Sequence, residues 1–315
     1  MSRSEKGPNL TVKLSGVELK NPIMPASGTF GSGKEFEEYL NLNRLGMVVT
    51  KGVADVPWKG NATPRVAETY GGMLNSVGLQ NPGIDHFIRE DIPFLESYDT
   101  KTMVNIAGRS IEEYVGVVTA LQHQPVDFLE LNISCPNIKE GGVAFGTDVD
   151  MAYQVTKKVK EAAKQPLIVK LSPNVTDIVA VAKACEAAGA DGISLINTLL
   201  GMKMDIKTRS PLLANTFGGL SGPAIKPVAL RMVYQVAREI NIPIIGIGGI
   251  STWEDALEFI LAGATAVQVG TANFRNPRAM MEIIEGLENY LKEENIDGIG
   301  ELIGAGHELK EETLC

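Results

Sequence analysis

The densest chemistry in the sequence lies in Asn132-Ile133-Ser134-Cys135-Pro136-Asn137, where the apolar run Val126–Leu131 gives out. The run reads as a short buried strand, and Pro136 forbids its continuation as a central one. Asn132, Ser134, Cys135 and Asn137 therefore fall at the carboxyl end of a strand and on the loop behind it. The two carboxamides offer donors and acceptors to a flat polar ring, and the thiol between them is a candidate base or nucleophile. Other apolar runs end in the same manner. Ser27-Gly28 follow Ile23–Ala26, Lys51-Gly52 follow Gly46–Thr50, and Asn105 stands near the end of Thr102–Ile106. Lys170 closes Leu167–Lys170, and Asn197-Thr198 follow Gly192–Ile196. Lys170 suits a Schiff base if desolvated, or donation to an anionic cofactor atom. Lys51 is a fixed cation suited to a carboxylate or an electron-rich ring edge. The set Asn75, Asn105, Asn132, Asn137 and Asn197 can read imide or pyrimidine-like groups, although asparagine is also a common turn residue.

Glycines mark a second kind of site. Gly248-Gly249 and Gly270-Thr271 each end an apolar run and precede a helical pattern, and Gly222 closes Gly218-Gly219-Leu220-Ser221-Gly222. Backbone N–H groups free of side chains at helix starts form a phosphate site. His86, His123 and His307 fall on helices or helix ends, which leaves Cys135 as the acid–base group at the strand ends. Cys185 lies on a helical stretch and reads as packing, and Cys315 is on the tail. The three cysteines form no CxxC or Cys/His cluster, so no zinc or iron–sulfur site is expected from this chain alone.

The elements that would position these groups alternate strand and helix. Ser15-Gly16 joins Thr11–Leu14 to Val17–Leu19 as a hairpin. Lys34–Leu40 has helical composition, and Asp85–Phe94 reads as a short helix. Residues 53–83, with Asn75-Ser76-Val77-Gly78-Leu79, form a long loop that is functional or carries small strands of its own. Helices are expected over Ser110–Leu121, Asp150–Ala163, Thr176–Ala188, Ala224–Ile240, Thr252–Ala262 and Pro277–Glu293. Residues 199–223 read as a second long, Gly-rich loop. About eight short apolar strands at βαβ spacing predict a (β/α)8 TIM barrel with a small N-terminal hairpin and long strand-end loops. Residues 1–315 read as one domain, with no composition break. A doubly wound sheet is the alternative, but no GxGxxG turn follows the first strand.

Net charge −9 and a pI of about 5.1 disfavour nucleic acid and anionic membrane surfaces as partners. No apolar run approaches a membrane span, and Met1–Asn9 is polar. The profile is that of a reduced, cytoplasmic enzyme.

The ordered motifs NISCPN, NSVGLQNPG, IVKLSPN, INT, GLSG, GIGGI and VGTA resemble the class 1 dihydroorotate dehydrogenases across residues 10–295. The resemblance implies an FMN-binding (β/α)8 barrel that oxidises dihydroorotate to orotate in pyrimidine biosynthesis. It makes Cys135 the general base at C5, with hydride passing from C6 to FMN. Lys51, Asn75, Ser76, Val77, Gly78, Leu79, Asn132, Asn137, Asn197 and Thr198 would hold substrate. Ser27, Lys51, Gly52, Asn105, Asn132, Lys170 and Ile196 would line the flavin, and Gly222, Gly248, Gly249, Gly270 and Thr271 its phosphate. The membrane-bound class 2 enzymes have Ser at the base position and an extra N-terminal helical segment, whereas this sequence reads as having Cys135 and no such segment. Residues 138–146 are similar to the NAD-linked class 1B type rather than the fumarate-linked class 1A homodimers. That type pairs a homodimer of the FMN barrel with a subunit carrying FAD and a 2Fe-2S cluster, in a heterotetramer of two of each chain.

Other readings of the same residues are an FMN barrel acting as a different pyrimidine reductase, a Schiff-base lyase using Lys170, and a phosphate-ligand binding barrel without turnover.

Overall fold

The computed structural model describes residues 8–134, 139–140 and 143–307. Strands β1 (Ile23–Pro25), β2 (Met47–Val49), β3 (Lys101–Ile106), β4 (Phe128–Asn132), β5 (Leu167–Lys170), β6 (Gly192–Leu195), β7 (Ile244–Ile247) and β8 (Ala266–Val269) make one eight-stranded sheet. Neighbours pair in parallel in the order β1-β8-β7-β6-β5-β4-β3-β2. Gly46 N donates to Ile23 O at 3.0 Å and draws the two sheet edges together. A Cβ on Gly46 would lie 2.0 Å from Asn21 O, so only glycine allows this approach. The result is the predicted (β/α)8 barrel. Its strands were legible as apolar runs because β4 to β8 are buried on both faces.

The outer helices start where their caps dictate. Ser110 Oγ accepts from Glu113 N ahead of Ile111–Leu121, and Asp148 caps Val149–Ala162. Thr252 and Asp255 form a reciprocal capping box on Trp253–Leu261. Along Val149–Ala162, Ala152, Val155, Thr156 and Val159 fall on one buried stripe. The N-terminal hairpin, Val12–Leu14 with Val17–Leu19, buries Leu14 and Leu19. Ser15 Oγ donates to Asp191 O at 2.7 Å, which places the hairpin under the amino ends of the strands, opposite the site.

Two local expectations, at 34–40 and 199–223, need correction. Lys34–Leu40 holds only one 3-10 turn, Lys34–Phe36, with no side-chain cap and no buried residue to anchor a longer helix. The helix at Asp85–Phe94 runs from Ile84 to Glu96 but widens into a π turn over Phe87–Asp91. Pro93 stands two residues beyond the π turn and lacks the N–H a regular turn would use. Residues 199–223 are not a loop. Leu199–Met202 and Phe217–Ser221 join Val66–Thr69 and Gly72–Asn75 in a four-stranded antiparallel sheet. The glycines that suggested a loop are where backbones touch: a Cβ on Gly218 would lie 2.9 Å from Asn75 O. The small strands expected within 53–83 are therefore half of this sheet.

Cys185 packs in the core, as expected, with Thr156 Oγ1 donating to its sulfur at 3.6 Å. Burial pushes its thiol up to about 12, against a small opposing effect of the Thr156 hydrogen bond. The native protein should leave Cys185 unmodified by iodoacetamide at pH 8, while denatured protein is alkylated there. Peptide mass mapping reads this directly, and native alkylation at Cys185 would contradict the packing.

Candidate active site

A barrel that closes in this order brings all strand carboxyl ends to one mouth. Inward side chains alternate along each strand, so Glu130 and Asn132 of β4 share a face, as do Met103 and Asn105 of β3. Register then sets Asn105 beside Glu130, and Lys170 beside both Asn132 and Ser194.

Glu130 is the hub of this layer. Its side chain is 0% exposed. Asn105 Nδ2 donates to Glu130 Oε2 at 2.6 Å. Ser194 Oγ and Gln268 Nε2 each donate to Oε1 at 2.8 Å. Lys170 Nζ lies 3.6 Å from Oε2 and donates to Ser27 Oγ at 3.1 Å. Burying a charged pair costs several kcal/mol per ion, and these hydrogen bonds offset it. An apolar pair would hold the barrel together as well, so the pair is better explained by function than by stability. The ammonium of Lys170, fixed between a carboxylate and a strand-end hydroxyl, is placed as a standing cation.

Just above, Ser134 Oγ donates to Asn132 Oδ1 at 2.6 Å, and Asn197 Nδ2 donates to Ser134 Oγ. Asn197 Nδ2 also reaches Asn132 Oδ1 at 3.5 Å. Tyr114 OH donates to Asn132 O at 2.7 Å, tying the end of β4 to the helix Ile111–Leu121. The antiparallel sheet roofs this side. Asn75 pairs with Gly219, and Thr198 packs so close that a Cβ on Gly219 would lie 2.0 Å from its Oγ1. Gly78 and Leu79 turn the chain at φ 76° and 52°, and Asn61 Nδ2 holds the turn through Ser76 O at 2.9 Å. Asn61 N donates to Val77 O. Leu79 then reaches Gly52, where a Cβ would lie 3.5 Å from its Cδ2 and 3.0 Å from Asn105 Oδ1. Lys51, half-buried, has its amine held below the usual lysine range by burial first and by the nearby Arg65 charge second, with Glu35 opposing.

The glycine site is equally tight. Gly222, Gly248 and Gly249 have φ of 103°, 130° and 78°, all in the region side chains avoid. A Cβ on Gly249 would lie 2.9 Å from Gly222 O, and one on Gly222 would lie 2.7 Å from Gly72 Cα. Thr271 Oγ1 donates to Ser221 Oγ at 2.8 Å, and its methyl lies by Gly222. A Cβ on Gly248 would lie 3.4 Å from Ile196. Ile196 therefore connects this cradle to the β6 end.

The structure thus gathers Ser27, Lys51, Gly52, Asn105, Asn132, Lys170, Ile196, Asn197, Thr198 and the 75–79 turn around one mouth, with Gly222, Gly248, Gly249 and Thr271 beside it. Gly270 precedes Thr271 and packs near Ala26. Cys135 and Asn137, and with them the assigned base, lie outside the described residues. The histidines sit apart. His307 packs edge-on to Tyr234, and His123 lies 3.2 Å from Lys164 Nζ. Among the described residues no cluster of His, Cys, Asp or Glu could hold a metal, and no helix is long and apolar enough to cross a membrane.

A phosphorylated flavin fits what is present. Asn105 Oδ1 and Ser76 Oγ are buried with no hydrogen-bond partner among the described residues. A ring carrying N–H and carbonyl groups would satisfy such atoms, Lys170 would complement an electron-rich ring edge, and the glycine cradle would admit a phosphate. Reading the sequence missed Glu130, Ser194 and Gln268. Glu130 was absorbed into the apolar run Val126–Leu131. The available signal was a charged residue inside a strand with both faces buried.

The sequence profile described as dihydroorotate dehydrogenase matches residues 9–291. A protein of Alkaliphilus metalliredigens named dihydroorotate dehydrogenase B (NAD(+)), catalytic subunit, is 67% identical over 297 residues, 94% of this chain and 98% of its own length. Relatives of the same name from Alkaliphilus oremlandii and Lachnoclostridium phytofermentans are 65% and 60% identical over 296 residues each. Those two alignments cover 94% of this chain and 98% and 99% of the relatives.

Proposed function

The chain belongs to the dihydroorotate dehydrogenase family, and on that premise we propose that it is the catalytic subunit of an NAD-linked, class 1B enzyme oxidising dihydroorotate to orotate. The observation that carries the reading is the mouth itself, with a buried Lys170–Glu130 pair and an unpartnered Asn105 carbonyl beside a glycine cradle. Residues 1–315 act as one FMN barrel. Ser27, Gly52, Asn105, Asn132, Lys170 and Ile196 hold the flavin ring and side chain, and Gly222, Gly248, Gly249, Gly270 and Thr271 its phosphate. Bound FMN supplies the acceptor for the hydride from C6 of the substrate.

The chain's own residues do the rest. Cys135 takes the C5 proton. Asn75, Asn132, Asn137 and Asn197 orient the ring through carboxamides that donate and accept, with Ser76 to Leu79 and Thr198 closing around it. Lys51 pairs with the substrate carboxylate. Electrons leave to NAD through a partner subunit carrying FAD and a 2Fe-2S cluster, two of each chain assembling around a homodimer of this one. The roof sheet over the mouth limits water access, which favours the transfer.

Chromatography of the flavin released by denaturing the purified chain tests the cofactor. FMN equimolar with protein is expected, and failure to bind FMN even on reconstitution would overturn the reading.

Lys51 adds a pH dependence. Its amine is held below the usual lysine range, so the charge is present below that lowered value and lost as pH rises through it. The KM for dihydroorotate should therefore climb at a lower pH than an ordinary lysine would give. In Lys51→Arg the charge persists, so the climb should vanish even if the KM itself is higher. A KM profile for the unaltered enzyme that stays flat into the usual lysine range, about 10.4, would count against Lys51 holding the carboxylate.

A further inference from the structure

We infer that Glu130 is a positioning residue that dictates which face Asn105 shows the flavin and where Lys170 stands, an inference that rests on the FMN reading above. Donor and acceptor types decide the matter. A carboxylate only accepts, and four donor groups converge on this one. It therefore captures the Nδ2 end of Asn105 and turns the Oδ1 end away, toward Gly52 beyond the end of β2. Oδ1 is buried there without a partner among the described residues. Leaving a buried carbonyl unpaired is unfavourable, so the arrangement favours a ligand that brings a donor to it. A neutral amide at 130 no longer enforces this selection, because its NH2 would face Asn105 and Lys170 on one flip and Ser194 and Gln268 on the other, so Asn105 can turn over and show Nδ2 to the mouth.

The same carboxylate is the counter-charge of Lys170, which is only 4% exposed. Ser27 Oγ takes the other side of the ammonium, at the end of β1. One interior anion thus fixes an acceptor and a cation at the mouth, the complement of a ring with an N–H and an electron-rich edge. Glu130 itself touches neither flavin nor substrate.

The test compares the full chain with Glu130→Gln, Asn105→Asp and the double variant, each freed of flavin and titrated with FMN by fluorescence quenching. The midpoint potential of the bound flavin is the second readout. Each single variant should weaken FMN binding by about tenfold or more, since Glu130→Gln strips buried Lys170 of its counter-charge and frees Asn105 to turn, and Asn105→Asp sets two carboxylates against one another. In the double variant the introduced glutamine amide donates to the introduced aspartate, whose other oxygen can only accept, so the Kd should return to within about threefold of the original. Glu130→Gln should also shift the potential positive, because Lys170 loses its counter-charge, and the double variant should reverse that shift. If Glu130→Gln does not fold alone, tighter FMN binding by the double variant than by Asn105→Asp supports the inference, and equal or weaker binding overturns it. An unaltered chain that binds FMN, with Glu130→Gln matching it in Kd and potential, would sink this inference alone. An unaltered chain that cannot bind FMN would sink the inference together with the function it rests on.

Discussion

Cys135→Ala retains FMN and loses dihydroorotate oxidation by on the order of 10²–10⁴-fold, the usual contribution of a positioned general base. Chain position supports this. Ser134, which precedes Cys135 in the sequence, is buried at the mouth and held by Asn132 and Asn197. Chemical elimination points the same way, since His86, His123 and His307 all stand on other elements. The thiol is not among the residues assigned to the flavin, so FMN content should not change. Anaerobic stopped-flow reduction with dihydroorotate isolates the step from any partner. In the unaltered chain the rate should rise with pH as the thiol ionises, and in Cys135→Ala it should be low and flat. A variant within threefold of normal would assign the base elsewhere.

Gly249→Val should all but abolish FMN binding, weakening it by on the order of 100-fold or more, as expected when a helix-start phosphate site loses its backbone approach. The added Cβ would sit 2.8 Å from Lys226 Cβ and 2.9 Å from Gly222 O, with φ at 78°. Part of the effect is general strain, about 1–3 kcal/mol for a side chain forced into that conformation. Gly16→Val separates the two, because Gly16 has φ of 89° in the distant hairpin and meets nothing within 4 Å. It should lower the melting temperature while leaving the FMN Kd unchanged. Fluorescence titration of both variants checks this, and equal FMN affinity in the two would remove the glycine cradle from the phosphate site.

What the sequence made legible follows from burial. Leu167–Lys170 matches its expected bounds because a strand covered on both faces reads as an apolar run. The glycines assigned to a phosphate stood out in the sequence because glycines just after apolar strands have a mechanism. The roof strands were not, since Phe217–Ser221 is only partly buried and carries two glycines, Gly218 against the Asn75 backbone and Gly219 against the Thr198 side chain. Lys34–Leu40 looked helical by composition but has no cap or buried stripe. Glu130 was hidden by its surroundings: among Phe128, Leu129 and Leu131 a single carboxylate reads as a blemish in a strand. Only the closed barrel, which brings Asn105, Lys170, Ser194 and Gln268 onto it from four other strands, reveals a hub, and that closure is tertiary information.

Whether this mouth takes dihydroorotate and passes its hydride to a bound flavin is tested most directly by a visible spectrum of the FMN-loaded chain. The spectrum is taken anaerobically before and after adding dihydroorotate. The flavin band should bleach without any partner or NAD present, and orotate should appear in the same cuvette. A flavin band left unchanged by excess dihydroorotate would contradict that assignment.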